Sequence, residues 1–206
     1  MSGMSRREAL AALATIPALA AFRPLDEALD PAAMVRAAEA AREALAAATP
    51  YAPKFFTAHE WETVRLLADL VIPRDERSGS ATDAGVPEFM DFIMDAYPDK
   101  RDGMRGGLAW LDSESVRRFG TRFVETDAPS RRRLLDDIAW PARARPEMSQ
   151  GVAFFSRFRD LTASGFWSSR MGVEDLRYLG NTAIAEWHGC PPEALRKLGV
   201  SYGDDG

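Results

Sequence analysis

Phe55-Phe56-Thr57-Ala58-His59-Glu60-Trp61-Glu62-Thr63-Val64-Arg65-Leu66-Leu67-Ala68-Asp69-Leu70-Val71-Ile72-Pro73 reads as one complete helix with both ends specified. Thr57 and Glu60 have the spacing of a capping box, and Phe56 stands where a hydrophobic staple begins. Trp61, Val64, Leu67 and Leu70-Val71 fall on one helical face. Ile72-Pro73 ends the segment, because proline cannot donate to the preceding turn. His59, in the first turn, is expected to be exposed or packed into the staple.

The same grammar repeats downstream. A polar loop over 74–85 precedes Pro87, which starts a helix with Phe89, Ile93 and Tyr97 in its stripe and Phe92 beside it. Residues 101–119 form another, with Met104, Leu108 and Leu111 aligned and Gly120 ending it. Gly103, Gly106 and Gly107 inside that run read as a point of close helix packing. Asp127-Ala128-Pro129 opens a helix carrying Leu134, Leu135 and Ile138 up to Trp140-Pro141. After an Arg- and Pro-rich loop comes the most apolar helix, with Phe154, Phe155, Phe158 and Leu161, closed by Gly165. Short helices follow around 173–179 and 192–198, each closed by a glycine, Gly180 and Gly199. No stretch alternates with period two. The expectation is an all-α fold, a single irregular multi-helix domain of roughly six to eight helices over 55–206.

Upstream, residues 21–54 are expected to form an Ala-rich helical arm and linker. Pro31 starts the arm helix after Asp30, which then runs from Ala32 to Ala48. With little beyond methyl groups to bury, it is expected at the periphery rather than in the core. Residues 1–20 have the form of an export signal. Ser5-Arg6-Arg7-Glu8 is followed by the uncharged run Ala9 to Ile16, Pro17 and the small-residue end Ala18-Leu19-Ala20. The adjacent arginines make it the twin-arginine variety, used for proteins exported already folded. The chain is therefore expected in the periplasm, soluble or attached through partners, and handled by the twin-arginine translocase. The apolar run is too short to span a bilayer.

Composition narrows the chemistry. The 206 residues carry 26 basic and 31 acidic groups, net −5, which argues against a nucleic-acid partner. Cys190 is the only cysteine, so there is no internal disulfide and no Cys-x-x-Cys-His haem attachment. It is expected as a small buried hydrophobe. The glycine cluster 103–107 lacks dinucleotide-loop spacing and follows no strand. His188 lies near Cys190 without the further ligands of a zinc site. Asp75, Glu76 and Asp83 lack the alternation of a calcium loop and read as a solvated segment. Arg131-Arg132-Arg133 reads as a solvated charged face. No catalytic, cofactor-binding or metal-binding residue is assigned to this chain.

The stretch from Phe166-Trp167 to Trp187-His188-Gly189-Cys190-Pro191-Pro192 is aromatic and glycine-punctuated. Two readings are open: it closes the domain's own core, or it presents a docking surface built on Phe166, Trp167, Tyr178, Trp187, Cys190 and Pro191.

Phe55-Phe56-Thr57 with His59-Glu60-Trp61, Ala68 to Pro73, Asp83 to Phe89, Gly151 to Phe155, Leu161-Thr162, Gly165-Phe166, Met171-Gly172, Asp175-Leu176, Tyr178 to Asn181 and Gly189 to Glu193 together resemble the gluconate 2-dehydrogenase subunit 3 family. The resemblance implies a non-catalytic small subunit, carrying the export signal for a flavoprotein dehydrogenase and stabilising it. That large subunit would be of the glucose–methanol–choline type, hold FAD and oxidise a sugar, glycoside or sugar acid. Electrons would pass to a c-type cytochrome holding haem c, or to another acceptor. The alternative is a free-standing periplasmic protein that binds a sugar through Trp167, Trp187 and nearby carboxylates. A hydrolase using Glu174 and Asp175 is disfavoured, because adjacent helical positions point apart.

Overall fold

Thr57 caps its helix as its spacing predicts. Its hydroxyl accepts from the Glu60 N–H (3.3 Å), and the Glu60 carboxylate accepts from the Thr57 N–H (2.8 Å). The staple is closed by Phe56 and Trp61, with ring centroids 6.2 Å apart. His59 is not part of it: the imidazole pairs with Asp112, whose other oxygen accepts from the Phe123 N–H at 3.0 Å. That correction has a tertiary cause, since Asp112 arrives from a helix some fifty residues on.

The chain is seen here as a computed structural model that describes residues 30–47, 49–177, 186 and 188–202. The export signal with Ser5, Arg6 and Arg7 lies outside the described residues, as do Tyr178, Gly180 and Trp187. Eight α-helices and no strand occur among the described residues, an all-α fold. They are α1 (Pro31–Ala46), α2 (Ala58–Val71), α3 (Val86–Ala96), α4 (Pro98–Phe119), α5 (Ala128–Ala139), α6 (Ser149–Ser168), α7 (Arg170–Leu176) and α8 (Pro192–Leu198). α6 is the central post and packs against α1 to α5 and α7. Its Phe154, Phe155, Phe158 and Phe166 are buried with Val64 and Leu67 of α2, Phe89, Met90 and Ile93 of α3, and Leu108 and Leu111 of α4.

Three expectations change. The arm helix is not peripheral: Ala37, Ala38 and Ala41 of α1 belong to the main core, and Ala33 is buried beside them. Methyl-only contacts let α1 approach closely, so its small side chains favour docking. Gly85, at φ 80°, completes the fit, because a Cβ there would lie 2.9 Å from Leu45 Cδ1. Gly165 does not end α6. It is buried inside the helix against Phe89, and the break comes four residues later, where the Ser169 hydroxyl accepts from the Gly172 N–H (3.0 Å) and caps α7. The loop over 74–85 is built rather than loosely solvated. Ser80, Ala81 and Ala84 are buried, Asp69 accepts from the Thr82 N–H (2.8 Å), and Asp83 accepts from the Ser80 N–H (2.7 Å).

Of the three arginines near the start of α5, Arg132 and Arg133 are exposed as a solvated face predicts, and only Arg131 is partly buried. Arg131 donates to the Val124 and Thr126 carbonyls, and Arg133 lies over the Phe119 ring. Glu114 of α4 accepts from Arg117 and Arg118, and Arg118 reaches on to Asp137 of α5 (2.6 Å). These arginines lower the Glu114 pKa to about 2. The stabilisation from Glu114 is then complete above the ordinary carboxylate range and lost as pH falls toward 2. Thermal melts should show Glu114→Gln less stable by about 1–2 kcal/mol at pH 7, with the gap closing below pH 3. Glu88 is the opposite case. Its side chain is buried with Oε2 unbonded and Arg65 4.0 Å from Oε1, and burial raises its pKa, so its effect on stability worsens as pH rises.

Candidate partner interface

The corner between α6 and α7 is held by short contacts. Ser169 N–H and Oγ both reach the Phe166 carbonyl, at 3.0 and 2.6 Å. Gly172 lies so close to that carbonyl that a Cβ would stand 2.1 Å from its oxygen. Just before the turn, α6 carries two adjacent aromatics on different faces. Phe166 points inward and is 1 % exposed, whereas Trp167 is 43 % exposed. Their rings meet edge to face, 5.1 Å apart and at 89°, so the buried ring fixes the outer one.

Facing Trp167 is the loop after α2. Asp75 Oδ1 accepts from the Arg77 and Ser78 N–H groups, both at 2.8 Å, and these bonds hold the Asp75 pKa below the usual carboxylate range. The fixed turn sends Arg77 to α7, where it donates to the Asp175 carbonyl (2.7 Å) and carboxylate (2.8 Å). Gly79 packs against Met171 of the same helix. Loop and corner thus enclose a solvent-open cleft of about 490 Å³, lined by Arg77, Trp167, Asp175, Leu176 and Arg177. Leu176 is 59 % exposed, and Arg177 ends α7 in the left-handed region at φ 53°.

The residues proposed for docking therefore separate. Phe166 is core, buried in the main hydrophobic cluster, and its backbone carbonyl anchors the corner. Trp167 is uncovered. Cys190 and Pro191 are exposed just before α8, which corrects the expectation of a buried thiol; Cys190 N–H donates to the Tyr202 hydroxyl at 2.5 Å. Arg77, Leu176 and Arg177 were not singled out from sequence. The signal available was weak: an arginine after an Asp turn, and a helix that reads on toward Gly180 in the sequence but ends at Leu176 in the structure.

The other chemistries considered are constrained by the same geometry. Glu174 pairs with Arg170 (2.7 Å) while Asp175 pairs with Arg77, so the two carboxylates are directed apart. Among the described residues no group of three His, Cys, Asp or Glu side chains comes together to hold a metal ion. The residues of the glycine cluster do not fit a flavin pyrophosphate. They lie within helix α4, and Gly107 is filled by the Phe154 ring, whose Cδ2 would stand 1.8 Å from a Cβ. No helix among the described residues is long and apolar enough to cross a membrane.

The model of one protein family, gluconate 2-dehydrogenase subunit 3, matches residues 58–186, more than half of the chain. The chain belongs to this family. Membership makes it a small subunit of a dehydrogenase complex, associated with other dehydrogenase subunits. The match begins at the first residue of α2 and takes in the whole cleft; α1 and α8 lie outside it. No curated protein and no solved structure matches the chain.

Proposed function

We propose that this gluconate 2-dehydrogenase subunit 3 protein is the non-catalytic small subunit of a periplasmic dehydrogenase. It carries a twin-arginine export signal and braces a larger FAD-bearing subunit of the glucose–methanol–choline type. That subunit oxidises a sugar, glycoside or sugar acid and passes electrons to a c-type cytochrome or another acceptor. The family match carries the reading, and it encloses a cleft with an exposed tryptophan, the kind of anchor that protein interfaces favour. A free-standing sugar receptor is less well served. The carboxylate among the described cleft residues, Asp175, is already engaged by Arg77.

One purification tests the proposal. The full chain, tagged at its C-terminus, is recovered from the periplasm and envelope of its native cell. A larger subunit with flavin absorbance should co-elute and oxidise sugars, whereas the separated small chain should show neither property. In the Arg6→Lys/Arg7→Lys variant both proteins should stay in the cytoplasm. Sugar oxidation by the lone chain, or a flavoprotein exported normally beside the variant, overturns the reading.

A further inference from the structure

We infer that the Trp167–Arg177 cleft is where the flavoprotein subunit docks, through a segment placing a carboxylate beside an apolar side chain. The inference rests on the subunit reading above and names its contact. Four observations support it. Trp167 packs edge to face on the buried Phe166 ring, which reduces the side-chain freedom lost on binding. Leu176 offers an uncovered apolar surface next to it. Arg77, the first cation of the cleft, is spent on Asp175, which makes it part of the wall. Arg177 forms no ion pair with any described residue, and it lines the cleft at the end of α7, where its backbone turns into the αL region. Among the described residues the cleft thus holds two apolar surfaces and one uncompensated positive charge, on a chain whose net charge is −5. A carboxylate next to an apolar residue complements that arrangement, whereas a basic segment would meet Arg177 as a like charge.

Geometry supplies an internal control. Trp140 is also exposed, at 62 %, but it ends α5 and does not line the cleft.

The test uses the tagged full-length chain and the FAD-bearing subunit that co-purifies with it, identified by mass spectrum and flavin spectrum. Trp167→Ala and Arg177→Glu should each weaken capture of that subunit at least ~10-fold. Arg177→Lys should retain most of it, and Trp140→Ala should match wild type. Raising salt should weaken wild-type capture more steeply than that of Arg177→Ala. A photoreactive benzoylphenylalanine at position 176 should cross-link to a partner peptide containing Asp or Glu. Helical circular dichroism and Tm, expected to be unchanged, separate lost docking from lost folding. If wild type captures the flavoprotein and Arg177→Glu and Trp167→Ala capture it equally well, the cleft assignment falls while the subunit reading stands. If wild type captures none, both fall. Calorimetric sugar binding to the isolated chain that Trp167→Ala abolishes overturns the docking role in favour of a small-molecule site.

Discussion

Asp91→Ala is expected to cost about 4 kcal/mol of stability, enough to lower Tm by roughly 8–16 °C in a chain of this size. The carboxylate is 0 % exposed on α3 and accepts four hydrogen bonds from the segment between α1 and α2. Tyr51 Oη and the Lys54 N–H are at 2.8 Å, the Phe55 N–H at 2.9 Å and the Phe56 N–H at 3.3 Å. Alanine removes every acceptor together and leaves buried donors behind, which is more costly than losing a balanced pair. Burial and the bond to Asp91 raise the Tyr51 pKa, so the phenol remains a donor across the physiological range. Tyr51→Phe removes one of the four bonds and should cost only about 1 kcal/mol. Asp91→Asn keeps one acceptor oxygen and should fall between the two. The effect is also directional. The linker carries the chain from α1 into α2, and Asp91 is what holds it against the body of the protein. Limited proteolysis of Asp91→Ala should therefore cut between Ala47 and Phe56 well before it cuts α6. Equal cleavage of wild type and variant in that linker would refute the anchoring role.

The elements themselves were legible because their signals are local. Thr57 and Glu60 predict a cap that forms, Asp127 caps α5 by accepting from the Ser130 N–H, and Gly120 and Gly199 end their helices with positive φ. Where an end depends on tertiary contact, the same residue types mislead. Gly165 has the composition of a stop but serves as a seat for Phe89, and the helix continues past it. The alanines of α1 signal little buried area, yet they also permit the closest approach, and the fold uses the second property. Asp91 carried a readable clue, a lone acid amid Phe89, Met90, Ile93 and Met94. Its partners are backbone donors some 35 residues earlier, which no spacing rule connects. The site was half legible for a related reason. An aromatic pair announces that something is buried and something is offered, but only the way α6 packs in the core decides that Phe166 goes in and Trp167 stays out. Arg77 reaches the cleft across nearly a hundred residues of sequence, so nothing near Asp175 reveals it.

The three glycines of α4 turn that distinction between local and tertiary effects into a measurement. In a helix interior, Gly→Ala ordinarily stabilises by about 0.5–1 kcal/mol, because it removes backbone freedom from the unfolded chain. At Gly103 and Gly106 a Cβ would meet nothing within 4 Å, so Gly103→Ala and Gly106→Ala should each show that gain. At Gly107 the sign reverses. A Cβ there would stand 1.8 Å from Phe154 Cδ2 and 2.3 Å from Cγ, inside the contact that joins α4 to the central post. Phe154 is 3 % exposed and its ring lies 5.7 Å from that of Phe158, so it has no room to swing aside without disturbing the α6 core. Relief must come from moving the helices apart, an overpacking cost of about 3 kcal/mol that outweighs the propensity gain. Gly107→Ala should therefore unfold at markedly lower denaturant than wild type while its neighbours unfold at slightly higher. Because Phe154 is the obstacle, adding Phe154→Leu to Gly107→Ala should recover part of the loss, although Phe154→Leu alone destabilises. Three alanine substitutions of one sign, or a double mutant that is merely additive, would show that α4 and α6 do not meet at this glycine.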